Sequence, residues 1–191
     1  MKDFYRENHR EYFERTFNIN PSTFLSPLTA KLLPGAFILD VGCGSGRDLL
    51  WLKNRGFSIM GFERSPELAE LARKSAGCEV LEGDFTSYDF SSIRADAVII
   101  IGALVHTTQA DFATVLCNIA KALKIEGFLL ITVKEGTGTA TGADGRIFYF
   151  FQHEDLEFIF ASLGFHLLEF SREASKTGTE EIWLRYLLQK E

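Results

Sequence analysis

The sequence predicts a doubly wound α/β fold, a seven-stranded sheet that is mostly parallel with an antiparallel last strand and carries helices on both faces. Three observations point there. Short apolar runs alternate with helix-length amphipathic segments from Ala36 to Val133. The run Ala95–Ile101 ends in an unbroken apolar stretch, as a strand buried on both faces requires. Two further apolar runs near the end of the chain, Phe165–Phe170 and Ile182–Leu188, read as a hairpin pair at the sheet edge.

The elements follow in order. Over Asp3–Phe17, residues Phe4, Tyr5, Tyr12, Phe13, Thr16 and Phe17 fall near helical spacing with charges between them, so one amphipathic helix is expected, ending before Asn18 and Pro21. A second helix, Pro21–Leu33, stops at the Pro34–Gly35 breaker pair. Phe37–Val41 is a buried strand that runs into a glycine cluster, and Arg47–Asn54 is a helix closed by Gly56. Phe57–Phe62 is the second strand. Ser65 then caps a helix that has Pro66 at its first position and Glu67 at its positive end, and that runs to Ala76. Cys78–Leu81, Ala95–Ile101 and Phe128–Val133 are strands, and Gln109–Leu123 and His153–Ser162 are helices. Glu135–Arg146 is rich in Gly and Thr and reads as a mobile loop. Residues 1–34 are expected to form a helical lid on a core of residues 35–191, within one domain overall.

With 191 residues, 46% of them hydrophobic, the chain can bury a full core, and most of its 18 Phe rings belong there. A formal charge of −6 and Lys/Arg runs no longer than two argue against a nucleic-acid surface. Cys43, Cys78 and Cys117 form no CxxC pair and have no His at zinc spacing, so no metal site is expected, and reduced thiols fit the cytoplasm. The N-terminal stretch shows no apolar signal segment and no run is long enough to span a bilayer, so no membrane partner is expected.

The most informative stretch is LDVGCGSGRD, residues 39–48. A glycine-rich joint between strand and helix lets a ligand approach the backbone, and in doubly wound sheets the crevice lies at the carboxyl ends of the strands. A dinucleotide asks for G-x-G-x-x-G. Counted from Gly42, the third position is Arg47, and the pattern is instead Asp40-x-Gly42-x-Gly44-x-Gly46. An acid before the turn repels a pyrophosphate but suits a cationic ligand end, such as the sulfonium and ammonium groups of S-adenosylmethionine (SAM). Glu63, about 20 residues on, can accept from both hydroxyls of a ribose in NAD or SAM alike. Gly83-Asp84-Phe85 follows the third strand, where an Asp can accept from an adenine amino group and an aromatic ring can line its pocket.

With these residues the chain resembles the class I SAM-dependent methyltransferases, through LDVGCGSGRD, the Glu63-Arg64-Ser65-Pro66 step, GDF, Gly102–His106 and the Lys124–Gly127 turn. The later GRIFYFF segment and Leu163-Gly164-Phe165 turn look like the small stand-alone type 11/12 and tellurite-resistance-like members. The resemblance implies a Rossmann-like sheet, SAM as cofactor with S-adenosylhomocysteine (SAH) as product, and methyl transfer to a small-molecule acceptor by a monomer or homodimer. A non-catalytic SAM-binding module and an RNA or protein methyltransferase are the alternatives. It places the methionine portion on Asp40, Gly42, Gly44 and Gly46, with Cys43 in the same turn. The ribose falls on Glu63, beside Arg64, and the adenine on Asp84 and Phe85. Gly102 and Ala103 would lie next to the cofactor. Two departures stand out: the usual Lys-Pro-Gly-Gly turn is Lys-Ile-Glu-Gly here, and the ribose acid is Glu where Asp is commoner.

His106, on the rim after the fourth strand, is a candidate general base. Tyr12 and Thr16, with Tyr5 on the same segment, either contact cofactor or acceptor from a lid or simply pack. Among Phe148-Tyr149-Phe150-Phe151 only alternate rings can face inward, and Tyr149 is taken as the pocket residue. Arg146 and Lys134 would suit an acidic acceptor, or are surface charge.

Overall fold

The computed structural model describes residues 4–176 and 179–191; Asp3, where the first helix is expected to start, lies outside them. The N-terminal segment is two helices, α1 (Phe4–Glu7) and α2 (His9–Thr16). The break falls at Asn8, whose side-chain amide donates to Phe4 O at 3.0 Å and competes with the helical ladder. α3 (Ser22–Thr29) stops short of Leu33, has Pro27 inside it, and buries Phe24, Leu25 and Leu28. Each such side chain removed from water contributes about 1.5–3 kcal/mol.

From there β1 (Phe37–Val41), α4 (Arg47–Lys53), β2 (Ser58–Glu63), α5 (Pro66–Ala76), β3 (Val80–Glu82), β4 (Ala95–Ile101), α6 (Gln109–Ile119) and β5 (Leu123–Lys134) alternate as expected. Ser65 caps α5 by accepting from Leu68 N, and Pro66 is its first residue. α6 ends four residues early. Ala120–Ala122 tighten into one 3-10 turn because Leu123 is already a strand residue, paired with Ala95.

The segment read as a mobile loop is a hairpin, β6 (Thr139–Thr141) with β7 (Ile147–Tyr149). Its tip is closed by Gly142 N donating to Arg146 O and by Asp144, whose carboxylate accepts from Arg146 N at 3.1 Å. α7 (His153–Ser162) leads to β8 (Phe165–Ala174) and β9 (Ile182–Lys190). The seven-stranded sheet has the order β3-β2-β1-β4-β5-β9-β8. β9 runs antiparallel to both its neighbours, so the last strand is inserted between β5 and β8.

Alternation along the strands divides the core. Leu39, Val98, Ile100, Leu129 and Ile131 pack on one face with Phe112 and Leu116 of α6. Ile38, Ala97, Ile99 and Leu130 pack on the other with α3. The strand order reverses between β1 and β4, which opens a crevice at their carboxyl ends. Among the described residues no helix is long and apolar enough to cross a membrane.

Glu126 has φ +60°, the left-handed conformation that glycine accepts without cost. It occupies the third position of the Lys124–Gly127 turn, where the resemblance leads one to expect glycine. Glu126→Gly should therefore stabilise the protein by about 0.5–1 kcal/mol, a rise of roughly 1–4 °C in Tm. An unchanged or lower melting temperature by calorimetry would contradict that strain.

Candidate active site

The turn after β1 commits four of its five amides. Gly42 N and Cys43 N both donate to Phe62 O, at 2.7 and 3.1 Å, and Gly46 N donates to Cys43 O at 3.0 Å. Gly44 N donates to Glu63 Oε2 at 2.9 Å. The backbone here bends through positive φ at Gly42, Gly44 and Gly46. A Cβ at Gly42 would lie 2.4 Å from Ala103 Cβ, so glycine lets the turn after β1 touch the turn after β4. Gly46 serves packing in another direction: its Cβ would meet Ala72 Cα at 2.8 Å and Ser75 Oγ at 2.9 Å, on α5.

Asp40 lies beneath this turn, 2% exposed. Its Oδ2 is buried without a hydrogen-bond partner among the described residues. Burial, reinforced by the charge of Asp48, pushes its carboxyl well above the ordinary range, although Arg47 pulls the other way. Arg47 itself is clamped to Asp48 by two bonds, at 2.7 and 2.8 Å.

Glu63 ties two turns together. Oε2 takes Gly44 N, and Oε1 takes Arg64 N and Ser65 N, both at 2.9 Å. Burial raises its carboxyl, and the three amides oppose that rise without cancelling it. Asp84 is half-exposed. Burial pushes its carboxyl up, but two bonds from Thr86 and the charge of Arg64, 4.0 Å away, outweigh it and leave the group below its usual value.

Two cavities meet at this crevice. The first, about 490 Å³, is lined by Glu63, Arg64, Asp84, Phe85, Ala103 and His106. The second, about 440 Å³, is lined by Cys43, Thr16, Lys134, Arg146, Phe148 and Arg185, among others. Gly42, Gly44, Gly102, Tyr5 and Tyr12 border both. The structure thus gathers most of the sequence-derived site. It sets Gly46 against α5 and Asp40 in a layer below the cavity walls. Cys43 borders the second cavity, but its thiol packs toward Gly61 in the cluster of Leu49, Ala69 and Ala72, and burial pushes it up.

Tyr149 requires a correction. Its ring packs against the hydrophobic core, and the alternation of β7 turns Phe148 into the second cavity in its place. Arg146 and Lys134 are not surface charges, being 9% and 4% exposed. Sequence reasoning missed Trp183 and Arg185, which β9 brings to the second cavity. The available signal was a lone arginine inside the apolar run Ile182–Leu188.

His106 is part of a chain of hydrogen bonds. Its Nδ1 lies 2.6 Å from Ile147 O, which can only accept, so Nδ1 carries the proton. Nε2 then accepts from the Tyr5 hydroxyl at 2.8 Å, and Tyr5 Oη accepts from Arg146 Nη1 at 3.0 Å. Burial and the nearby cations Arg146, Lys134 and Arg64 lower the imidazole's pKa, the bond to Ile147 O opposing them, which keeps the ring neutral. Burial raises the hydroxyl of Tyr5 despite Arg146 beside it.

Residues 38–127 match the family model of a methyltransferase domain. The whole chain superimposes on magnesium protoporphyrin IX methyltransferase of Synechocystis, crystallised with SAH, with a TM-score of 0.80 over 100% of this chain and 98% of that one, at 15% identity. In fold, this is a class I methyltransferase. A TehB-like SAM-dependent methyltransferase of Corynebacterium glutamicum aligns with a TM-score of 0.75 over 97% and 99% of the two chains, at 20% identity. The probable tRNA methyltransferase 9B of Bos taurus is 35% identical over 102 residues, which are 52% of this chain and 22% of that one. The chain therefore spans only about a fifth of that curated relative's length, and 44% of an uncharacterized methyltransferase from Oceanobacillus iheyensis.

In this methyltransferase fold the N-terminal helices reach the rim through Tyr5. Tyr5→Phe removes a donor to the neutral imidazole, so the pKa of His106 should rise. A ¹⁵N-NMR titration of the ring checks this. An unchanged titration would mean that the Tyr5–His106 contact does not form in solution.

Proposed function

We propose that the chain binds SAM in the first cavity and transfers its methyl group to a small molecule seated in the second, working in the cytoplasm. The observation that carries this reading is the electrostatic character of the glycine turn. Four of its five amides, at Gly42, Cys43, Gly44 and Gly46, already have acceptors, so little of the turn is left to cradle a phosphate. The same turn rests on a buried carboxylate oxygen of Asp40 that lacks a partner. A buried acid in that state suits a cationic ligand and penalises an anionic one.

Glu63 is fixed by three amides, two on Oε1 and one on Oε2, so Oε2 keeps a lone pair for a ribose hydroxyl. Asp84 and Phe85 lie at the far end of the first cavity, where an adenine would sit. Gly102 and Ala103 offer backbone without bulk beside the junction of the two cavities. SAM supplies a methyl group on a positively charged sulfur, whose thioether leaves readily. The protein's share is alignment, worth roughly 7–11 kcal/mol where geometry is good, and exclusion of water. Tyr5 and Tyr12 cover the junction as part of the N-terminal lid, residues 1–34. For an acceptor that must lose a proton, His106 Nε2 is the base, reached through the Tyr5 hydroxyl: the acceptor's proton goes to Tyr5 Oη as Tyr5 passes its own to Nε2. The net charge of −6 and a concave acceptor site favour a small-molecule acceptor over an RNA.

A thermal-shift assay should show stabilisation by SAM and SAH and none by NAD. Glu63→Ala should weaken SAM at least about ten-fold, close to 1.4 kcal/mol; unchanged affinity would refute the ribose assignment. Because Asp40 holds its proton more tightly than usual in the free protein, binding a cation must expel it. SAM affinity should therefore rise with pH through the titration of Asp40 and then level off. Calorimetry in two buffers of different ionisation enthalpy counts the released protons. Asp40→Asn should weaken SAM and flatten this pH dependence, while the ligand-free Tm holds or rises because an ionisable group is gone from the interior.

A further inference from the structure

Three ion pairs in the second cavity share one asymmetry. The side chain of Lys134 is 5% exposed and that of its partner Glu181 is 32%. Arg146 is 10% exposed against 29% for Asp144, and Arg185 is 10% exposed against 30% for Glu173. In these three pairs the cation is the deeper member and the carboxylate the shallower one, whereas in the cavity's fourth pair, Arg47–Asp48, the carboxylate is the deeper, 8% exposed against 19%. Around the three pairs the cavity presents positive charge inside and negative charge toward the rim. Over its whole lining six cationic side chains stand against four carboxylates, in a protein whose formal charge is −6.

Carboxylate partners do not exhaust the donors. Arg185 Nε is shared between Ser171 Oγ and Glu173 Oε1, but Nη1 is buried with no hydrogen-bond partner among the described residues. A guanidinium nitrogen shut away from water without an acceptor is destabilising. That cost is recovered when an anion occupies the cavity. Lys134 Nζ lies 3.7 Å from the centre of the Phe148 ring and 5.5 Å from that of Trp183, so two flat apolar faces adjoin the cations. Trp183 in turn sits against Gly102, where a Cβ would come within 3.3 Å of its ring. This places the cationic cavity at the junction with the first one.

We propose that the second cavity holds the methyl acceptor by a carboxylate, anchored at Arg185 with Lys134 and Arg146, and that a flat apolar body lies along Phe148 and Trp183. This names the substrate class of the site and rests on the methyl-transfer reading above. The carboxylate is the handle by which the acceptor is held. The complementary orphans agree with the division of labour: an unpaired carboxylate oxygen at Asp40 under one cavity, and an unpaired guanidinium nitrogen at Arg185 in the wall of the other.

The test is isothermal titration of benzoate and indole-3-acetate against benzamide and indole-3-acetamide, with and without saturating SAH. The wild-type protein should bind the acids at least about ten-fold more tightly than the amides. Arg185→Met should abolish that preference and leave SAH affinity within about two-fold, and Arg185→Lys should keep part of the preference. Equal binding of acids and amides by the wild-type protein overturns the proposal, as does a preference that survives in Arg185→Met. A loss of SAH affinity in Arg185→Met as large as the loss for the acids also overturns it, since the cations would then serve the cofactor's own carboxylate. The wild-type comparison decides the matter even if Arg185→Met fails to fold. Failure of SAH to bind sinks the methyl-transfer reading separately, and the titrations without SAH still judge the anion site.

Discussion

The carboxylate of Glu63 is the joint on which the crevice depends. One oxygen fixes the amide of Gly44 in the turn after β1, and the other fixes the amides of Arg64 and Ser65 in the turn after β2. Phe62 O, one residue earlier, holds the amides of Gly42 and Cys43. Two consecutive residues at the end of β2 thus set the conformation of a neighbouring turn that has no side chains to stabilise itself. Bonds of this type between a carboxylate and backbone N–H groups are among the stronger ones, each about 1.5–3 kcal/mol. Burial raises the group's pKa, yet its position is over-determined by three donors.

That arrangement explains why the turn tolerates, and even selects, an acid beneath it. With four of its five amides committed, the turn offers little positive concavity, and the unpartnered oxygen of Asp40 lies directly beneath it. The approach of Ala103 to Gly42 then brings the end of β4 against the same turn, so the two strands flanking the topological switch are in contact at the point where a ligand must lie.

Much of this was legible in the sequence because the controlling contacts are local. The alternation of strands and helices and the Ser65-Pro66 helix start lie where short-range patterns placed them, and Gly42, Gly44, Glu63, Asp84 and Phe85 come together around the first cavity, while Asp40 and Gly46 lie behind it. Errors came where tertiary contacts overrode local preference. Asn8 splits a continuous amphipathic pattern with a side-chain bond, and pairing of Leu123 with Ala95 ends α6 early. The Gly- and Thr-rich segment looked structureless, but Ile147–Tyr149 supplies the strand that Thr139–Thr141 needs. A strand's inward face cannot be told from sequence alone without its register, and so Tyr149 was taken where Phe148 belongs. Arg146 and Lys134 looked like surface charge because their partners, Asp144 and Glu181, are recognised only once the hairpin and β9 are in place.

The insertion of β9 between β5 and β8 separates the two cavities in assembly as well as in space. The first cavity is built by the strands up to β4 with their turns and helices, whereas Trp183 and Arg185 join only when β9 slots in against β5. An intermediate that lacks this strand would already present the glycine turn, yet it would have an open flank where the selective wall should stand. Recognition of the second ligand is thereby coupled to completion of the sheet, because its selective wall exists only where β9 is held between β5 and β8.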